Sequence, residues 1–397
     1  MTAPLDGLRV VELARILAAP WIGQTLADLG ADVVKVEAPE GDETRRWGPP
    51  FVQGPGGERL DAAYFHCCNR GKRSVVADFR TAQGQEIVRR LAQRSDILLE
   101  NFKVGGLARY RLDYATLSAL NPRLIYCSVT GFGQTGPYAH RAGYDFMIQG
   151  MGGIMDLTGE PDGAPQKMGV AFADIFTGTY GTIAVLAALA QRERTGLGQH
   201  IDMALLDSMV GVLANQALSH LVSGAPSRRM GNAHPNIVPY QPFAVSDGYV
   251  VIAVGTDPQF ARLCEFLGMP EVAADPRFAT NAARVSHRDE LISRLSASLA
   301  SRAREEVLGG MEKRGIPAGP INTVADVFAD PQVKYRGMRV DLPLPRGGTV
   351  PSVRTPIQFS AAELSLKRPS PRLGEHTAEI LEELGLVSSP TTAIPGR

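Results

Sequence analysis

Between residues 8 and 132 the chain alternates short β-branched runs with helix-periodic ones, and this alternation limits its fold more than any other feature. LRVVELA (8–14) follows Gly7, PWIGQTLADLGA carries helical spacing, and DVVKVEAP (32–39) is a second strand ended by Pro39. Together they make a βαβ unit. Strands continue at SVVADF (74–79), DILLENF (96–102) and LIYCSVTGF (124–132), with helices at 81–95 and 114–122. Strands that are apolar almost throughout are buried on both faces. The expectation is therefore an α/β fold, a doubly wound parallel sheet under helices, with ligands at the carboxyl ends of its strands.

At 397 residues the chain exceeds one small core, so two domains are expected. The stretch 223–241 is rich in Gly, Pro, Ser and Asn and reads as a connection. PFAVSDGYVVIAVG then reads as a hairpin turning at Asp247-Gly248, and KRGIPAGPIN (313–322) as a second linker. This predicts a large domain over 1–222, completed by 323–397 with the helix TAEILEELG, and a smaller α+β domain over 223–322.

Lysine plus arginine equals aspartate plus glutamate at 41 each, which removes any general attraction to nucleic acid or anionic membrane. The longest apolar run, TIAVLAALA, is far short of the roughly 20 residues that span a bilayer. No secretory signal pattern opens the chain. Four cysteines without disulfide or zinc spacing point to a reducing cytoplasm and no metal site.

Chemistry has few places to reside. In VAFADIFTGTYG, Asp174 stands at a helix start that runs to Gly196, so it is either an N-cap or a carboxylate that the helix end keeps ionised as a nucleophile. Gly131-Phe132-Gly133-Gln134-Thr135-Gly136 matches a dinucleotide fingerprint but runs into Pro137 where a helix should open, which argues against a dehydrogenase. Its glycines more naturally permit close approach or tight turns. Cations gather in NRGKRS (Lys72, Arg73), in GDETRRW (Arg45, Arg46) and in ENFKVGGLARYR (Lys103, Arg109, Arg111). Each cluster is a solvated face or, with its neighbours, a grip on phosphates. Asp145 reads as an exposed loop carboxylate, and His234 as a structural histidine in a polar loop.

The ordered blocks PLDGLRVVEL, LADLGADVVKVEAPEGDETRRWGPPF, NRGKRSV, ENF, NPRLIYCSVTGFGQTGP, AGYD, VAFADIFTG, GQHIDMALLDS, PYQPF and GIPAGPIN closely resemble the class III CoA-transferases, almost end to end. Within that family the arrangement looks most like the succinyl-CoA:glutarate branch. The resemblance implies a Rossmann-like large domain, a small domain and two chains interlocked as a homodimer. It implies acyl-CoA and carboxylic acid substrates, CoA thioesters being substrates with no tightly bound cofactor. It makes Asp174 the nucleophile and carries CoA contacts onto Ile16, Ala18, Lys72, Arg73, Asn101, Phe102 and Arg109. Tyr144, Asp145 and Gly255 fall among its substrate-side positions. For the distal carboxylate of a diacid, Arg45 supported by His234 is the candidate, and amides near Gly178 or 254–256 are candidates for an oxyanion. Leu17 and Ala38 replace the glutamine and arginine of the formyl-CoA:oxalate branch, which disfavours oxalate. The racemase branch of the same fold has a histidine where Tyr144 stands. A phenol, ordinarily titrating near 10, is a poor base, so transfer is favoured over racemisation. A CoA-binding protein without catalysis is the remaining alternative.

Overall fold

A computed structural model of the chain describes residues 2–345 and 347–386. The described residues form two compact units, one within 2–154, 167–218 and 332–386, the other from Met155–Gln166 and Ser219–Pro331. The second unit thus starts and ends outside the expected 223–322. It also recruits an excursion, 155–166, with no sequence signal: Arg229 ties it down by donating to the carbonyls of Asp156, Glu160 and Gly163. Residues 387–397, assigned above to the large domain, lie outside the described residues.

The large unit carries a six-stranded sheet of β1 (Arg9–Glu12), β2 (Asp32–Glu37), β3 (Arg73–Val76), β4 (Ile97–Glu100), β5 (Ile125–Thr130) and β6 (His200–Ala204). The strands are ordered β3-β2-β1-β4-β5-β6 and every neighbouring pair is parallel. This is the order of doubly wound sheets, whose ligand crevice opens where β1 and β4 diverge at their carboxyl ends. Alternate strand residues serve opposite faces. Val10, Val33, Ile97, Ile125 and Cys127 pack under α1 (Ala18–Asp28), while Val11, Val34, Leu98 and Tyr126 pack under α2 (Ala82–Arg94) and α3 (Tyr114–Leu120).

The first face is completed by α4 (Asp145–Met151), α5 (Phe172–Thr195) and α6 (Leu205–Gly211). Helix α5 has the length and hydropathy of a membrane span, and Ala173, Val185 and Ala188 set one of its faces in this core. Gly178 and Gly181 let it lie against α1, since a Cβ on Gly178 would stand 2.7 Å from the Ala18 carbonyl oxygen. Near its far end Arg192 pairs with Asp96 at 2.9 Å, and Gly196 ends it at φ 74°.

In the small unit β7 (Tyr240–Val245), β8 (Gly248–Ala253) and β9 (Ala318–Pro320) form an antiparallel sheet in the order β9-β8-β7. Gly248 pairs with Val245, so the hairpin turns at Ser246-Asp247, one residue earlier than the Asp-Gly signal suggests. Helices α7 (Asp257–Leu267), α8 (Arg288–Leu299) and α9 (Arg304–Glu312) share one core with it, around Phe243, Val250, Leu263, Leu291 and Leu295. Back in the large unit, α10 (Thr377–Glu383) lays Ile380 and Leu384 on the sheet's second face.

Candidate active site

Where β1, β2, β4 and β5 end, a cavity of 910 Å³ opens in the large unit. Its first wall is the turn after β1, in which Ile16 takes φ 74°, a left-handed value costly for a β-branched residue. Neighbours hold it there. The Asn101 amide accepts from the Arg15 N–H at 3.0 Å and donates to the Arg15 carbonyl at 2.6 Å, and Asp42 accepts from the Ile16 N–H at 3.3 Å. Ile16, Leu17 and Ala18 thereby face the cavity, with Ala38 across from the end of β2.

Asp174 lies in the first turn of α5 and lines the same cavity. The cap reading does not hold, because the helix is capped at Ala171 without any side-chain bond. Asp145 does that work from another helix, its Oδ1 accepting the Ala173 N–H at 2.8 Å and the Asp174 N–H at 3.3 Å. Asp145 is in turn held by Gln149, whose amide donates to its other oxygen at 2.8 Å. It is therefore no idle loop carboxylate. Asp174 itself is only 9% exposed, and among the described residues no donor or cation reaches its carboxylate. Burial first, and the Asp145 charge second, push it up to about 7. Both causes oppose the ionised form that the helix start would favour. Desolvation and a like charge outweigh a dipole whose effect is about 1 kcal/mol.

The cavity gathers Ile16, Ala18, Asn101, Phe102, Arg109, Tyr144, Asp145 and Asp174 from the candidate residues. The rest stand elsewhere. Lys72 is fully buried, its ammonium on Glu12 at 2.8 Å and on the Pro20 carbonyl at 2.9 Å. Arg73 is spent on Asp32, Glu379 and Glu383. Neither lines the cavity, and each already has carboxylate partners from distant segments. Arg45 is withdrawn for the same reason: it binds Glu37 and Asp61, both at 2.6 Å, with its guanidinium 3.7 Å over the Phe65 ring. His234 and Gly255 belong to the small unit. His234 packs on Tyr240 and accepts the Asn236 N–H at 3.1 Å, while the amides of Gly255 and Thr256 both donate to Gln259 at the start of α7. Those amides are committed, and Gly178 sits inside α5, where N–H groups serve the helix ladder.

Other groups in the site carry no sequence signal. Arg80 and Arg141 line the cavity, Arg141 stacked on Phe132 and Tyr138 with its guanidinium carbon 5.2 and 4.5 Å from the ring centres. The Tyr64 phenol, outside the cavity lining, is raised by burial and then by the charge of Asp174. Lys103 and Arg109 are exposed at the cavity wall with no carboxylate partner among the described residues. The glycine-rich loop after β5 opens no helix at Gly136. Gly131 and Gly143 instead press backbone to backbone, a Cβ on Gly131 falling 2.5 Å from the Gly143 Cα.

Residues 5–377 match the model of CoA-transferase family III. A succinate–glutarate CoA-transferase of Agrobacterium fabrum is 56% identical over 98% of both chains. A human succinyl-CoA:glutarate CoA-transferase is 40% identical over 96% of this chain and 86% of its own. A crystal structure of a CAIB/BAIF family protein from Brucella suis superposes with a TM-score of 0.87 at 64% identity, covering 97% of this chain and all of that one. With a parallel sheet, a large cavity at its carboxyl edge and a family match over nearly the whole length, the chain belongs to CoA-transferase family III.

Proposed function

We propose that this CoA-transferase moves CoA from succinyl-CoA to a dicarboxylic acid such as glutarate, with Asp174 as the covalent nucleophile. The observation that carries the reading is a buried carboxylate without donor or cation, facing a cavity whose wall holds the unpaired Lys103 and Arg109. A buried carboxyl left unpaired and strongly shifted in a cleft is a mark of chemistry. The substrates are supported by the names of the Agrobacterium and human relatives. The cavity lies at the upper end of the roughly 300–1,000 Å³ typical of small-molecule pockets.

In the proposed sequence an Asp174 oxygen attacks the thioester carbon, the C–S bond breaks and CoA leaves as thiolate. The thiolate then attacks the Asp174 acyl carbon of this mixed anhydride and releases succinate, leaving an aspartyl-CoA thioester. Glutarate attacks that carbon, expels the thiolate and makes a second anhydride. Return of the thiolate to the glutaryl carbon yields glutaryl-CoA and frees the Asp174 carboxylate. Covalent capture at each stage keeps the acyl group from water. Lys103 and Arg109 suit the phosphates of CoA, and Arg141, held by its aromatic neighbours, replaces Arg45 as the candidate for the distal carboxylate.

An interlocked homodimer in a reducing cytoplasm completes the proposal. Leu218, Leu221 and Val222 are exposed on the helix Ala214–Ser223, which favours a partner chain, and the four cysteines are free. The mechanism is tested by mixing the protein with succinyl-CoA and reading the Asp174 peptide by mass spectrometry, alongside exchange assays of Asp174→Ala. The expected results are a covalent adduct and a rate loss on the order of 10³–10⁶ with CoA still bound. Turnover retained by the variant would remove Asp174 from the nucleophile role.

A further inference from the structure

The loop 101–106 that follows β4 forms part of the wall of the large cavity. On its other side Lys103, Val104 and Gly105 also bound a second cavity of 230 Å³, floored by Glu100, Ser128 and His200. A segment with open space on both sides has few packing contacts to fix its shape, so polar anchors must do so. One is the Asn101–Arg15 pair, and another is the Phe102 ring, set edge-on to Phe79 at 5.4 Å. The third is Glu100, 5% exposed at the end of β4, whose Oε2 accepts the Phe102 N–H at 2.7 Å.

Glu100 is itself supported across the sheet. It is in register with Ser128 on β5, whose hydroxyl favours its charged form, and the Ser128 Oγ lies 2.9 Å from Nε2 of His200 on β6. The Tyr114 ring stacks on His200 at 5.0 Å. With Nε2–H of His200 donating to Ser128, the hydroxyl proton is left to turn toward Glu100. The transfer reaction as proposed uses neither Glu100 nor its supports.

We propose that Glu100 is a positioning residue for CoA: by accepting the Phe102 N–H it holds the loop 101–106 in the shape against which the CoA moiety docks. The inference rests on the reading of the large cavity as the CoA site. It also carries a pH dependence. Burial pushes Glu100 up to about 7, against the bonds from Ser128 and Phe102. Facing it are Tyr126, Cys127 and Ser128 from β5, His200 and Asp202 from β6, Lys103 in its own loop, and Asp113 and Tyr114 across the second cavity. Asp202 raises it further, while burial lowers His200 and so favours its neutral form. As pH falls through about 7 the carboxylate becomes a neutral acid, a weaker acceptor for the Phe102 N–H, and the loop loosens.

The test uses Glu100→Gln, which keeps shape and size, and Ser128→Ala, which removes only the support. Hydrogen exchange of the peptide over 100–106 is followed without ligand, and CoA binding is measured by calorimetry from pH 5.5 to 8.5. Both variants are also made in an Asp174→Asn background, so that the Asp174 charge does not enter. At pH 8, Glu100→Gln is expected to exchange faster in this peptide and to bind CoA about tenfold more weakly, with the pH slope of binding lost. Ser128→Ala is expected between it and the parent protein. Unchanged loop exchange in both variants overturns the positioning role, whether or not CoA binds. Faster exchange with parental CoA affinity overturns the link between loop and substrate. A parent protein that binds no CoA overturns the reading of the cavity, and with it the substrate named here, while the exchange data still report on the anchor.

Discussion

Two polar regions of the large unit, both near the first βα turn, treat charge in opposite ways. Beneath the turn, Glu12, Lys35, Glu37, Asp42, Arg45 and Lys72 are all buried and all ion-paired. In the cavity Asp174 is nearly as buried with no partner, and Lys103 and Arg109 hold out cations that nothing among the described residues neutralises. A cation saturated by carboxylates has no donor left for a phosphate. An unpaired one is destabilising or idle in the free protein, and it is retained where a ligand completes it. Charge therefore marks a binding residue only once its partners are known.

The strongest way to break this contrast is to remove one member of each region. Lys72→Met should lower stability by about 3 kcal/mol, seen as a drop in denaturant midpoint, because it strips a cation from the buried Glu12. CoA affinity of the folded variant should be unchanged. A stable variant that no longer binds CoA would return Lys72 to the ligand. Asp174→Asn should act in reverse. A carboxyl raised in the folded state contributes its full stability below the unfolded value of 3.8, and that contribution is lost as pH rises through about 7. The variant should thus melt above the parent protein at pH 8 and level with it near pH 4.

The same raised carboxyl sharpens the comparison kinetically. The kcat/KM for acyl-CoA should fall about tenfold for each pH unit below 7, as Asp174 takes up its proton. Asp145→Asn removes the second cause of the shift and should move that midpoint to lower pH; a profile that stays in place would mean that burial acts alone. The smallest effects belong to the exposed cations. Arg109→Ala and Lys103→Ala should each raise KM for acyl-CoA about fivefold, with kcat unchanged, and the effect should shrink in high salt.

Much of the frame could be read from residues close in the chain. The strands at 9–12, 32–37, 97–100 and 125–130 fall inside the apolar runs, and the stop at Gly196 is where the glycine stands. Reading failed where geometry was not local. Between Leu205–Gly211 and Ala214–Ser223 the helical path breaks at Ala214, which takes φ 47°, and no composition cue announces it. The cations of NRGKRS looked like a phosphate grip because their partners lie far off: Arg70 on Asp28, and Arg73 on Asp32, Glu379 and Glu383. Arg141 carries no such signal, because it belongs to no charged cluster in sequence.

What the sequence determined by itself was the parallel sheet, the helix that bears Asp174 and the place of the ligand crevice. Those follow from hydrophobic periodicity and turn chemistry, which act over a few residues. Only the tertiary structure decided how Asp174 is treated: Asp145, 29 residues earlier, takes the helix amides and leaves the nucleophile candidate bare. It likewise decided that Lys72, Arg73 and Arg45 are structural while Lys103 and Arg109 are free. Burial and Coulomb forces depend on distance in space rather than along the chain, so a residue's charge can be read locally but its availability cannot.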